Sequence, residues 1–219
     1  AGWRMEESEP EPVSATDLRS LLERTCDIVA IAGRRAEEQW GRVASETKPD
    51  SSLVTEVDRQ TEVFLSDELR RALPNSGFAG EEFGRSSDGD RYVWVCDPID
   101  GTTNFVRGLP HWCVSVGLLD RGQPVMGVVF APALDTTYAA YAGGGAWRDG
   151  VRIACLAPTV LEYEDLVCVS TNALKTLNLS RLVTRLRCLG SIALETCLVA
   201  EGRVVASVGI GEGIHDLAA

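Results

Sequence analysis

Two carboxylates stand three residues apart at the end of an apolar run, in Tyr92-Val93-Trp94-Val95-Cys96-Asp97-Pro98-Ile99-Asp100-Gly101-Thr102-Thr103. Tyr92 to Cys96 reads as a buried strand, and a strand end holds two carboxylates in a fixed relation, as a hard divalent cation with oxygen ligands requires. Pro98 fixes its own φ and biases the residue before it towards extended backbone. The chain can then turn into a helix whose first N–H groups, from Gly101 and Thr102, lack partners and attract an anion. The alternative for such a segment taken alone is an Asp-Pro turn in which Asp100 caps the helix. The surrounding chain favours the first reading.

The 219 residues suffice for one generous domain or two closely packed layers. With 45% apolar and 24% charged residues the chain is of ordinary globular composition. Its formal charge of −11 argues against nucleic acid and anionic membrane surfaces as partners, both of which demand a basic face. An anionic substrate stays possible if bound cations reverse the sign locally. Seven cysteines without a CxxC pair, several inside apolar runs, read as small core residues in a reducing, cytoplasmic setting. No apolar run has membrane-spanning length and no signal-peptide pattern opens the chain; the acidic stretch 6–12 reads as a frayed terminus.

Ser14-Ala15-Thr16-Asp17 has capping-box spacing, and the apolar positions that follow predict a long helix ending near Trp40-Gly41. A polar loop spans 46–52, and a second helix runs from about Asp58 to Leu73, stopping at Pro74. Phe78-Ala79-Gly80 predicts a short strand leading into Glu81-Glu82. Strands are expected over 91–96, 112–119, 125–130 and 136–142, with a hairpin turn at Arg148-Asp149-Gly150-Val151. Beyond it come a strand at 165–170, helices at about 178–188 and 191–201, and a strand at 203–208. The expected fold class is therefore α/β (α+β). An antiparallel sheet fills the first layer, 13–150, which carries most of the acidic positions, and a smaller α/β layer follows over 151–219.

Asp58, Glu81-Glu82, Asp97, Asp100 and Asp216 each sit at the edge of a predicted element. Any one alone is more often a cap or a surface carboxylate, but together they supply the ligand count of a two- or three-metal phosphoryl-transfer site. Gly143-Gly144-Gly145 has neither dinucleotide nor P-loop spacing and reads as a turn. With only His111 and His215, a serine-hydrolase reading is thin; His111 lies in a Pro-His-Trp turn and reads as structural.

The loop from Lys48 to Asp58, Gly80-Glu81-Glu82, Asp97 through Phe105, and Asp216-Leu217-Ala218-Ala219 resemble the inositol monophosphatase family of Mg²⁺-dependent, lithium-sensitive sugar phosphatases. Less diagnostic pieces of the same resemblance are Gly108-Leu109-Pro110-His111, Gly127 to Pro132 and Gly190-Ser191-Ile192-Ala193, so that it covers the chain from about residue 15 onward. The resemblance implies a layered α-β-α-β-α phosphatase, commonly a homodimer, acting on a small phosphate monoester. It implies Glu81, Asp97, the Ile99 carbonyl, Asp100 and Asp216 as ligands of two or three Mg²⁺ ions (Mn²⁺ substituting), with Glu82 nearby. It further implies that Asp58 and Thr102, with Glu81, activate the attacking water, and that the Gly101 and Thr102 N–H groups hold phosphate.

Two departures stand out. His215 occupies the place where the family usually has Trp, and reads as a replacement for it or as an extra ligand or donor. Family members also continue past the last motif, so a truncated or shorter second layer is expected. Counting back from Asp216 to the family's sugar-contacting glutamate reaches Gly209, with Glu212 close by. Gly80 to Gly84 and Arg107 to Trp112 also resemble the histidinol-phosphatase branch, and fructose bisphosphate is a further candidate substrate. A catalytically silent homologue serving as a binding subunit is the alternative of a different class.

Overall fold

The computed structural model describes residues 14–47, 53–85, 90–155, 160–177 and 185–219, and of Ala15, Thr16 and Asp216 the backbone alone. The expected helix over 178–184 lies outside the described residues. Two long helices open the chain, α1 (Ala15–Glu37) and α2 (Glu56–Ala72), the first capped by the Ser14 side chain and the second by a Thr55/Asp58 capping box. Between them β1 (Glu46–Thr47) pairs antiparallel with β2 (Leu53–Val54).

The main sheet has eight strands: β3 (Gly77–Gly80), β4 (Gly84–Arg85), β5 (Tyr92–Asp100), β6 (Cys113–Asp120), β7 (Gln123–Ala131), β8 (Thr136–Tyr141), β9 (Gly145–Arg148) and β10 (Val151–Ile153). Their order across the sheet is β10-β9-β8-β7-β6-β5-β3-β4. Neighbours run antiparallel except β3 and β5, which are parallel: β4, antiparallel to β3, lies between them in the sequence and carries the chain back before β5 begins. Asp149 and Gly150 turn the last hairpin with φ of 50° and 76°, the left-handed pair that matches strand twist.

Alternation along the central strands separates two cores. Trp94, Cys96, Val114, Val116, Leu118, Val128 and Phe130 face α1 and α2, meeting Leu22, Val29, Leu65 and Leu69. Cys113, Val129, Ala131 and Tyr138 face the other way, onto Ala193 and Leu194 of α5 (Ile192–Ala200). A second sheet follows, three parallel strands in the order β12 (Arg185–Arg187), β11 (Leu166–Val169), β13 (Ala206–Val208). Val167 and Val169 of β11 pack against Ala173 of α4 (Thr171–Thr176), and α5 lies between the two sheets with Ser207 of β13 bonded to Glu195. The layers thus run α-β-α-β-α. The helix expected to continue to residue 188 is corrected here: Arg185–Arg187 is a strand, because parallel pairing with β11 offers its backbone a ladder that sequence pattern does not reveal.

The short helix α6 (Ile214–Leu217) brings the chain back across β5 and β6. A Cβ at Gly117 would lie 2.3 Å from the Ala218 carbonyl oxygen, so only glycine admits the 218–219 segment there. Of the seven cysteines, all unpaired, Cys96, Cys113 and Cys168 are buried as expected, while Cys155 and Cys188 are exposed. Among the described residues no helix is long and apolar enough to cross a membrane.

The first core gives a direct test. Leu65 is fully buried and Val63, two residues away, is half exposed. Leu65→Ala is expected to lower the unfolding free energy by about 2–5 kcal/mol. Val63→Ala is expected to change it by less than about 0.5 kcal/mol. Urea denaturation of both variants checks the contrast.

Candidate active site

In a regular strand, residues i and i+3 point to opposite faces. Asp97 and Asp100 escape that rule through a bulge in β5: Asp97 pairs with Ser115 and Asp100 with Cys113, so three steps on β5 match two on β6. Pro98, which has no N–H for a ladder, sits inside the bulge. Both carboxylates therefore lie on the face shared with Cys113 and Ser115, while Ile99 turns into the opposite cluster with Phe105, Trp112 and Ala36. Asp97 Oδ1 accepts the Ile99 N–H at 2.9 Å, a local turn that fixes its side chain.

Asp100 is not the cap of the helix that follows it. That place belongs to Gly101, at φ 91°, ahead of α3 (Thr102–Arg107). Asp100 instead serves the start of α5: its Oδ2 accepts the Ser191 hydroxyl at 2.6 Å and the Ala193 N–H at 2.7 Å, and its Oδ1 accepts the Ile192 N–H at 3.3 Å. A carboxylate at a helix N-terminus answers both the orphan donors and the dipole. The same contacts tie the second layer to the first.

Asp58 is fully buried and faces two ways. Its Oδ2 accepts the Thr55 N–H at 2.8 Å and the Thr55 hydroxyl at 2.5 Å, completing the box that starts α2. Its Oδ1 lies 3.4 Å from the Thr102 hydroxyl, which also donates to the Ile99 carbonyl at 3.0 Å. Burial pushes the Asp58 carboxyl up to about 6, against the Thr55 hydrogen bonds, and the negative charges of Glu82 and Glu81 add to the rise.

Glu81 is exposed in the turn after β3, and Glu82, beside it, is half-buried. Glu62 of α2 holds that turn: its Oε2 accepts the Glu82 N–H at 2.7 Å and its Oε1 the Phe83 N–H at 2.9 Å. A Cβ at Gly80 would fall 1.9 Å from Glu62 Oε1, so the glycine makes room for the carboxylate. The sequence reading passed over Glu62, although its spacing of four from Asp58 puts both on one face of a helix. It also gave no role to Asn104, whose Nδ2 donates to the His111 carbonyl at 2.6 Å and the Leu189 carbonyl at 2.7 Å. Nor did it single out Glu195, which accepts the Leu189 N–H at 2.7 Å. No local pattern marks these two, because their partners lie on loops brought close only by folding. Gly101 is held in the same knot, with the His111 and Gly190 carbonyl oxygens 2.9 and 3.0 Å from where its Cβ would be.

Asp216 lies in α6, and its side chain is outside the described residues. His215 beside it has a buried Nδ1 without a hydrogen-bond partner among the described residues. It lines a groove of about 1030 Å³ together with Gly80, Val93, Val95 and Leu119. Asp58, Asp97, Asp100 and Thr102 do not line that groove. Among the described residues no three His, Cys, Asp or Glu side chains are grouped closely enough to hold a metal. The donor chemistry nevertheless fits a hard cation: Asp97 and Asp100 on one face, with the Ile99 carbonyl between them, offer oxygen alone.

The model of the inositol monophosphatase family matches residues 17–219. The histidinol-phosphatase of Mycobacterium tuberculosis is 39% identical over 186 residues, covering 80% of this chain and 71% of that protein. Inositol monophosphatase 2 of Solanum lycopersicum is 36% identical over 204 residues, covering 84% and 77%. Among solved structures, an IMPase of Thermotoga maritima superimposes with a TM-score of 0.84 at 33% identity, covering 91% of this chain and 80% of that one. Fold and relatives together define a phosphatase of layered α/β build, from a class that works with metal ions. The chain belongs to the inositol monophosphatase family.

Asn104→Ala removes both donors that staple the loop after α3 to the loop before α5. The two carbonyls left without a partner are expected to cost about 1–3 kcal/mol of stability, read by urea denaturation.

Proposed function

We propose that this chain hydrolyses a small phosphate monoester with the help of two or three Mg²⁺ ions, for which Mn²⁺ can substitute. The observation that carries the reading is the bulge that turns Asp97 and Asp100 to one face, next to the Asp58–Thr102 pair. Glu81, Asp97, the Ile99 carbonyl, Asp100 and Asp216 would hold the ions. When bound, they supply positive charge to the attacking water, the phosphate and the leaving oxygen.

The chain's own residues do the rest. A water seated against Thr102 donates to the hydroxyl, which passes its own proton towards Asp58 Oδ1. A carboxyl near 6 accepts a proton at neutral pH more readily than an ordinary aspartate does. Thr102 has one proton and two acceptors, and here the Ile99 carbonyl is the nearer. The pair is aligned for work once that carbonyl is engaged elsewhere. The Gly101 and Thr102 N–H groups, at the start of α3, are assigned to the phosphate. Cations also answer the charge problem, since a chain of net charge −11 otherwise repels its substrate.

The alcohol half of the substrate follows the relatives, one named a histidinol-phosphatase and another an inositol monophosphatase. A turnover screen over inositol, histidinol and fructose phosphates with Mg²⁺ decides among them. Seven unpaired cysteines support a cytoplasmic setting. A homodimer follows from the family resemblance.

Two outcomes test the reading. EDTA is expected to abolish turnover, Mg²⁺ to restore it, and lithium to inhibit; full activity in excess chelator overturns the mechanism. Asp58→Asn and Thr102→Val are each expected to lower turnover about 10²–10⁴-fold, with little change in substrate affinity. The double variant should lose little more than either single one, since the two residues act as a unit. Additive losses in steady-state kinetics remove the pair from the mechanism.

A further inference from the structure

Ser115 is fully buried, and its Oγ has no hydrogen-bond partner among the described residues. A hydroxyl kept from water without a partner is costly, and an alanine of nearly the same shape avoids the penalty. Its position on β6 says what the hydroxyl is for. Ser115 is the residue directly opposite Asp97 in the β5–β6 ladder, on the last regular pair before the bulge. Alternation puts it on the face of Cys113 and Gly117, which looks towards α5 and α6, and puts Asp97 on the face of Val93 and Val95. Gly117 and Val95, paired in the same ladder, both lie against the 218–219 end of the chain. Residues directly opposite on one face have Cβ atoms about 4.5–5.5 Å apart, within reach of a hydroxyl-to-carboxylate bond. The neighbouring pair repeats the arrangement, for Cys113 Sγ lies 3.8 Å from Asp100 Oδ2.

We propose that Ser115 is a positioning residue for the metal centre: its hydroxyl donates to the Asp97 carboxylate and fixes the orientation in which Asp97 presents its oxygens to a divalent cation. The inference rests on the reading of Asp97 as a metal ligand. Hydrogen bonds to ligating carboxylates hold them in their bound orientation, and their removal weakens metal affinity about 10–100-fold. The cost of burying the hydroxyl falls on the fold and its benefit on metal binding, so the two can be measured separately.

That separation supplies the test. The full chain is dialysed against chelator and titrated with MnCl₂ and MgCl₂ alone in a calorimeter, as wild type and as Ser115→Ala. The variant is expected to bind about 10–100-fold more weakly, while its metal-free melting temperature stays equal to wild type or rises. Equal affinity in the two proteins overturns the proposal. Weaker binding accompanied by a lower metal-free melting temperature overturns it as well, because the hydroxyl then serves the fold. Absence of binding by wild type overturns the metal centre itself, and this role with it.

Discussion

The site depends on one irregularity, the extra residue that β5 carries between Asp97 and Asp100. Without it the two carboxylates would project from opposite faces of the main sheet, one among the apolar side chains beneath α1 and α2. With it, Asp97 and Asp100 share a face and Ile99 takes the inward place between Phe105 and Trp112. Asp100 then reaches the first turn of α5, and the second layer is oriented by that contact. One bulge thus sets the chemistry and the joint between layers.

Around this joint the protein handles buried negative charge with backbone donors. Glu62 takes two N–H groups of the turn after Gly80, Asp58 takes the N–H of Thr55, Glu195 that of Leu189, and Asp100 those of Ile192 and Ala193. Each carboxylate fixes a loop or a helix start, and the loops so fixed carry Glu81, Glu82, Gly190 and Ser191. Burial raises the Glu62 and Glu195 carboxyls while these hydrogen bonds hold them down. Glycines stand where the backbone comes closest, at Gly80 against Glu62 and at Gly101 against the His111 and Gly190 carbonyls. Such a site is held in a polar frame and is rich in negative charge, which is the surrounding a divalent cation favours.

Much of this is legible in the sequence. The Ser14 cap, the apolar spacing of α1 and α2, the four long strands and the Asp149-Gly150 turn are local signals, set by i+3, i+4 and period-two chemistry, and the structure places each within a few residues; of the expected box at Ser14 it shows the bond from the Asp17 N–H to the serine. The helix reading past residue 185 fails because β12 is a strand only by virtue of its neighbour β11. The parallel pairing of β3 with β5 is equally invisible in a four-residue run. At the site, Asp58, Glu81, Asp97, Asp100 and Thr102 were named from residue type and position at element ends. Glu62, Asn104 and Glu195 were not, since each matters through atoms 6 to 85 residues away.

The sequence by itself determined the kind of chemistry: carboxylates closing a buried strand, a Gly-Thr-Thr turn behind them, and the order of motifs that marks the family. What it could not determine is direction. Whether Asp100 caps its own helix or a helix ninety residues later, which residue stands opposite Asp97, and which way Ile99 turns all follow from the register of β5 against β6. Register is a property of two strands brought together, and a single residue's slip reverses every side chain along them. Only the tertiary structure decides it.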